Sequence, residues 1–333
     1  MTQDPRLKTQ DSRPITRRRF IEKAGMGTAI VGLVAGKQIG LGADPLGIPI
    51  GSQTYPERQM VADGKFVELL KNMYAAGIRQ IELCSPGYAQ FKSLADGKQT
   101  RKLIDDAGLK CPSAHFSFNE FRQGLPAAIE WAQAIGMTQI GTAGLGGGMV
   151  NGVTSLSQVQ YSAGEYNRIG NLVKRAGLQL FLHNEGFENS KLDDGRLTYP
   201  VLLSELDPEL IKMQFQMSSM RTIGDPIMYF TNYPGRFISA HVHGVNFDAP
   251  MPPARGMVLP AKPVPGAAAA GPGRAGGRGP GVPGIAIGED SVDWPRVFAA
   301  AKIGGLKNFF IEQEQQNGWD AMVKGAAYLK TLS

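Results

Sequence analysis

The chain has 333 residues, 42% of them hydrophobic, with 43 Gly and 22 Pro. That is enough to bury a full core, as one large α/β barrel or as two ordinary domains. Only 19% of the residues are charged, which excludes a chain too polar to fold. The formal charge of +6 overstates the basicity of the folded part. Residues 1–43 hold eight Lys/Arg against three Asp/Glu, and the remainder holds 27 against 26. No basic face is left over for a nucleic acid.

The N-terminal stretch "ITRRRFIEKAGMGTAIVGLVAG" begins basic and polar. It continues as a weakly apolar run, Ala24 to Gly36, rich in Gly and Ala. A run of 13 residues is too short to span a bilayer. Thr16-Arg17-Arg18-Arg19-Phe20-Ile21 resembles the twin-arginine export signal, with Glu22 where Lys is usual and Lys23 one place later. The resemblance implies delivery to the periplasm by the twin-arginine (Tat) export machinery, with the protein exported folded. The alternative is an exposed amphipathic helix, which the apolar run after the arginines disfavours. Residues 1–43 are therefore read as a signal segment and 44–333 as the folded domain, with no stable transmembrane span beyond the signal. No good Ala-x-Ala site is present, so the segment is read as cleaved after about Ala43 or, alternatively, kept as an uncleaved anchor.

From residue 48 short apolar runs alternate with helical patterns. The runs are "IPIGSQTY" (48–55), "IRQIELC" (78–84), "LKCPSAHFS" (109–117), "TQIGTAGL" (138–145), "LQLFLHNE" (178–185), "IKMQFQM" (211–217), "RFISAHVHG" (236–244) and "NFFIEQE" (308–314). Between them lie amphipathic segments such as "GKFVELLKNMYAAG", "LPAAIEWAQAIG", "AGEYNRIGNLVKRAG" and "WPRVFAAAKIGG", several ending in Gly as helix C-termini prefer. Continuous apolar strands indicate a parallel sheet covered on both faces. Eight β-then-α units predict a (β/α)8 TIM barrel. A doubly wound open sheet is the runner-up, but no Gly-x-Gly-x-x-Gly turn follows the first strand. In the barrel layout Cys84 sits at the top of one strand and Cys111 at the bottom of the next, too far apart for a disulfide, so both are expected as buried thiols.

One segment breaks the rhythm. Residues 249–284 contain nine Pro, nine Gly and eight Ala among 36 positions, and four basic residues with no acidic ones. Such a composition has little to pack. The insertion follows the seventh strand and so hangs from the face where barrel active sites lie. It is read as a passive insertion or, alternatively, as a mobile lid over the substrate.

The four histidines, His115, His183, His241 and His243, all fall near the C-terminal ends of strands three, five and seven. Each alone is equally well read as a satisfied core residue. All four at the catalytic rim of a barrel point to chemistry. The same rim receives Glu82, Glu185, Glu188, Gln214, Gln216, Glu312 and Glu314. Unpaired carboxylates aimed into a barrel mouth are costly, so a positive group is expected among them. A divalent metal held by carboxylate and imidazole is the economical choice.

These residues resemble the sugar phosphate isomerase/epimerase superfamily, the xylose isomerase-like barrels that include ketose 3-epimerases and inosose dehydratases. The likeness covers nearly all of residues 48–330. His183-Asn184-Glu185-Gly186-Phe187-Glu188 is similar to that family's His-Asn-His-Asp-Phe-Glu at the end of strand five. "GRFISAHVHG" is similar to its Gly-Arg-x-x-x-x-His-x-Lys-Asp on strand seven, with His243 and Gly244 in place of Lys-Asp. "IGEDSVDWPRVFAAAKIGGLKNFFIEQE" is similar to its Gly-Glu-Gly-x-x-Asp-Trp and final Val-Glu-Gln strand. The resemblance implies Glu188, His241 and Glu312 as ligands of a divalent cation (Mg, Mn, Co or Zn). Glu188 and Glu312 would be the acid–base pair that removes and returns a proton through an enediolate. The family's strand-six Asp ligand is absent; "MQFQMSSMRTIGDP" offers Gln216, or less favourably Gln214, in its place. An amide coordinates without charge, which predicts weaker metal retention and a more electrophilic ion. His115, His183, Glu185, His243 and Glu82 are left as candidates for substrate contacts or structural hydrogen bonds.

The expected function is a metal-dependent carbohydrate isomerase or epimerase acting on a small free sugar, since the chain shows no phosphate loop. The altered ligand set keeps a lyase or hydratase on keto-sugars or 3-keto-glycosides as the alternative. A non-catalytic carbohydrate-binding barrel is the third reading. A homo-oligomer is compatible with the chain.

Overall fold

A computed structural model describes residues 45–143, 153–184, 190–248 and 284–332. The expected signal segment, Glu185, Glu188 and nearly all of the 249–284 insertion lie outside the described residues.

Eight parallel strands close on themselves. They are β1 (Gly51–Gln53), β2 (Gln80–Cys84), β3 (Lys110–His115), β4 (Gln139–Thr142), β5 (Gln179–His183), β6 (Ile211–Gln216), β7 (Phe237–Val242) and β8 (Asn308–Ile311). Each pairs with its sequence neighbours, and Gly51↔Phe310 and Ser52↔Ile311 join β8 to β1. Helices follow each strand: α1 (Phe66–Ala75), α2 (Gly97–Asp106), α3 (Leu125–Ile135), α4 (Leu156–Arg175), α5 (Thr198–Glu205), α6 (Pro226–Asn232), α7 (Trp294–Gly304) and α8 (Gly318–Leu329). The architecture is the expected (β/α)8 barrel. A small parallel pair, Val153–Thr154 with Lys191–Leu192, lies on the loops after β4 and β5.

The helices form where one stripe is apolar. α1 buries Phe66, Leu69, Leu70 and Met73, the i, i+3, i+4, i+7 spacing of a single helical face. Side-chain caps fix several starts: Asp96 accepts from Gln99 N at 2.9 Å, Ser155 from Gln158 N at 3.2 Å and Asp293 from Arg296 N at 3.2 Å. α3 and α7 end on Gly136 and Gly305, both in the left-handed conformation that favours glycine. Among the described residues no helix is long and apolar enough to cross a membrane.

Strand alternation sorts two cores. On β6, Phe215 faces the helices and packs within 6 Å of the Tyr229, Phe230 and Phe237 ring centroids. Its neighbours Gln214 and Gln216 take part in buried side-chain contacts with β2, β5 and the end of β8. On β4 the barrel needs a glycine: a Cβ on Gly141 would run into the Phe181 ring. Cys84 and Cys111 are both free and buried, as expected.

Candidate metal and active site

Period-two alternation carries Glu82 (β2), Ser113 and His115 (β3), Phe181 and His183 (β5), Gln214 and Gln216 (β6), and Ser239 and His241 (β7) into one buried cluster. Glu312, directly after β8, joins them. The backbone N–H of Glu312 donates to Val242 O at 3.0 Å, which continues the ladder and fixes the residue at the strand end. His115, His183 and Gln216 are the last residues of their strands, so the cluster lies toward the C-terminal mouth.

The imidazoles pack tightly. The ring centroids of His183 and His241 are 4.4 Å apart, those of His115 and His241 are stacked at 5.2 Å, and those of His115 and His183 are 5.3 Å apart. His241 is bracketed by carboxylates: Nε2 lies 2.5 Å from Glu82 Oε1, and Nδ1 lies 3.1 Å from Glu312 Oε2. Gln216 Nε2 donates to the same Glu312 oxygen at 2.8 Å and lies 3.4 Å from His183 Nε2. The backbone of Gln216 is itself anchored, its N–H donating to Asn184 Oδ1 at 3.2 Å.

Charge follows from this packing. Burial resists ionisation of Glu82, but the His115 and His241 imidazoles outweigh it and hold the carboxyl well below its usual range. Burial likewise opposes charge on Glu312, and His241 overcomes it, keeping that carboxylate ionised. Burial would lower the pKa of His241, yet Glu312 and Glu82 push it up to about 10. His183 goes the other way: burial, His241 and His115 drive it well below the ordinary range, so it is neutral. In the metal-free protein His241 is therefore an imidazolium between two carboxylates, with both ring nitrogens donating.

The donor set fits a divalent cation. Gln216 Oε1 and His183 Nδ1 are buried with no hydrogen-bond partner among the described residues, and orphaned buried polar atoms are costly. Turning the Gln216 amide over would aim its carbonyl oxygen where its NH2 now faces Glu312. Gln216 Oε1, His241 Nδ1 and Glu312 then form a mixed oxygen and nitrogen set of the kind that Mg, Mn, Co and Zn accept. The three nearby histidines His115, His183 and His241 offer a second set, with ligand atoms within 4.8 Å of one another. That set is less favourable, because the Nε2 atoms of His115 and His241 already face Glu82.

Gln216, His241 and Glu312 thus come together with His115 and His183. Gln214 is committed elsewhere: its amide donates to Glu82 Oε2 at 2.8 Å and Ser239 Oγ at 2.9 Å. Glu82 has no exposure at all, and His243 is buried just past β7. Sequence reasoning passed over Ser113 and Ser239. The available signal was their place two residues before His115 and His241, on the same strand face.

No family model matches the chain, and no curated protein does. Solved structures do match. A sugar phosphate isomerase/epimerase from Parabacteroides distasonis is 17% identical, with TM-score 0.63, covering 90% of this chain and 98% of the other. A probable 3-DHS dehydratase involved in petrobactin synthesis, from Bacillus anthracis, is 15% identical, with TM-score 0.59 and coverage of 85% and 98%. A xylose isomerase-like TIM barrel protein from Mycobacterium smegmatis, in complex with magnesium, is 12% identical, with TM-score 0.58 and coverage of 86% and 96%. The chain shares their fold.

Proposed function

We propose that the chain is a divalent-metal-dependent enzyme of the sugar phosphate isomerase/epimerase superfamily that moves a proton alpha to a carbonyl on a small carbohydrate. The observation that carries this reading is the convergence of Gln216, His241 and Glu312 at the barrel mouth, with Gln216 Oε1 buried and unpartnered among the described residues. A divalent cation there supplies polarisation of a carbonyl and neutralises charge that builds on its oxygen.

The chain's own residues do the rest. Glu312 is held ionised and nearly buried, which makes its carboxylate available as the acceptor of the carbon-bound proton. The electron pair left behind delocalises into the adjacent carbonyl, giving an enediolate. Glu188, which the sequence resemblance assigns to the opposite face, would start as the acid and give its proton to that face of the carbon, inverting it. Glu312 then loses the abstracted proton to solvent and Glu188 regains one. His183, neutral and with Nδ1 unpartnered among the described residues, is suited to orient a sugar hydroxyl. The substrate reads as a free sugar, in keeping with the proposed periplasmic location.

A lyase outcome is the second reading. The neutral amide of Gln216 in place of a carboxylate and the dehydratase named among the structural neighbours both favour it. The same proton abstraction then expels a β-hydroxyl instead of being reversed.

Incubation with ketoses and keto-glycosides in deuterated water, read by NMR, tests both. Deuterium should enter one sugar carbon, with epimer or dehydrated product distinguishing the two outcomes, and a chelator should stop it. Glu312→Gln keeps a coordinating oxygen but loses the proton acceptor, so turnover should fall by about 10²–10⁴-fold with sugar affinity little changed. Exchange that survives undiminished in Glu312→Gln would remove Glu312 from the mechanism.

A further inference from the structure

Glu82 lies mid-strand on β2 with no exposure, and its carboxylate is saturated. Oε1 faces His241 Nε2 at 2.5 Å and His115 Nε2 at 3.1 Å. Oε2 accepts from Ser113 Oγ at 2.7 Å and from Gln214 Nε2 at 2.8 Å. Four donors from β3, β6 and β7 occupy its lone pairs, so none is free for a sugar hydroxyl or a metal.

The donors are held in turn. His115 Nε2 lies between two oxygens, Glu82 Oε1 and Gln214 Oε1 at 2.8 Å, so it carries the proton and donates. Accepting from His115 fixes which way round the Gln214 amide sits, and its NH2 then reaches both Glu82 and Ser239 Oγ. A fully enclosed carboxylate is tolerable only with such a donor shell. The arrangement has a directional consequence for His241. With Nε2–H turned to Glu82, Nδ1 faces the opposite way, toward the Glu312 oxygen that also receives Gln216.

We propose that Glu82 is a positioning residue that fixes the His241 ring so that Nδ1, and not Nε2, is the nitrogen presented to the metal. This rests on the metal reading of the site given above. His115 then belongs with the groups that hold Glu82 and is no metal ligand. The gain is a ring whose aim is settled before the ion arrives, with Nε2–H kept by Glu82 so that Nδ1 is the nitrogen left bare when the ion binds. Partners of this kind, hydrogen-bonded to the far nitrogen of a ligating imidazole, commonly change metal affinity by about 10–100-fold when altered.

The test uses the full chain with ¹⁵N-labelled histidine and Zn²⁺ as the diamagnetic probe, with affinities from competition against a chelator. In the unaltered protein, His241 should show a metal-bound Nδ1 and an exchange-protected Nε2–H. Glu82→Gln should bind Zn²⁺ about 10–100-fold more weakly and lose the protection of that Nε2–H. Lys102→Ala, on the exposed side of α2 where among the described residues it pairs only with Asp106, touches none of these groups, so its Zn²⁺ affinity should stay close to that of the unaltered chain. Should Glu82→Gln not fold, the His241 signature in the unaltered protein decides by itself. Zn²⁺ held through His241 Nε2 or through His115, or held with full affinity by Glu82→Gln, would overturn the positioning role and leave the metal site standing. Failure of the unaltered chain to bind Zn²⁺ would overturn both.

Discussion

His241 shows how one side chain can be poised by charge before any ligand binds. Its folded pKa of about 10 lies above the ordinary value of 6.5, because Glu312 and Glu82 outweigh the effect of burial. A raised cationic pKa contributes stability that is fully present below about 6.5 and is lost as pH rises through about 10. At pH 8 the metal-free ring is therefore protonated, whereas a metal ligand must offer a bare nitrogen. Metal uptake at pH 8 should accordingly release about one proton from this ring. Calorimetric titration in two buffers of different ionisation enthalpy measures that number directly. Identical heats in both buffers would mean that His241 gives up no proton and does not bind the ion through Nδ1. Electrostatics supports the exchange: Glu82 and Glu312 carry two negative charges among the described groups, and a 2+ ion with neutral His241 balances them. Gln216 matters here because it adds an oxygen without adding a charge.

At the scale of the strand, much of the site was legible because alternation is local. "MQFQM" and "ISAHVH" already place Gln214 with Gln216 and Ser239 with His241, each pair on one face. The apolar runs overshoot: the first covers 48–55, but only Gly51–Gln53 forms β1, with Ile50 and Thr54 each keeping one more bond to the β2 segment at its two ends. What alternation could not give was the shell around Glu82. Its donors come from β3, β6 and β7, and Gln214 stands 132 positions away in sequence. Barrel closure alone brings them together, and no short-range pattern encodes it. Gly141 is the same lesson from the side of packing. Phe181 fills the space beside it and meets His115 edge-on, with ring centroids 5.5 Å apart. Gly141→Ala should therefore overpack the barrel and destabilise it by about 1–3 kcal/mol, and it should disturb the His115 resonance. Chemical denaturation checks the first effect; an unchanged midpoint would show that Phe181 moves aside freely.

For the whole molecule, the uneven charge calls for an explanation. The excess of basic residues is confined to 1–43, while the rest of the chain is nearly balanced. Surface chemistry of the barrel gives no reason for such a cluster, whereas an export signal does, and we propose that Arg17 and Arg18 are its twin arginines. The physical logic of that route suits this fold. His241 of the metal site is held by Glu82, which reaches it from β2 on the far side of the barrel, so the site is complete only once the barrel has closed. A protein that must fold and load its ion before crossing a membrane needs a route that carries folded cargo. Replacing both Arg17 and Arg18 by Lys keeps every charge and alters only the side-chain geometry. It should leave the precursor folded and metal-binding but retained in the cytoplasm, as fractionation of expressing cells would show. A chain lacking residues 1–43 should be retained in the same way, yet keep its cooperative thermal unfolding and its metal affinity, since the barrel's first strand begins at Gly51. Equal periplasmic delivery of the double-Lys variant would sink the twin-arginine reading, and loss of folding in the truncated chain would show that the segment also serves the barrel.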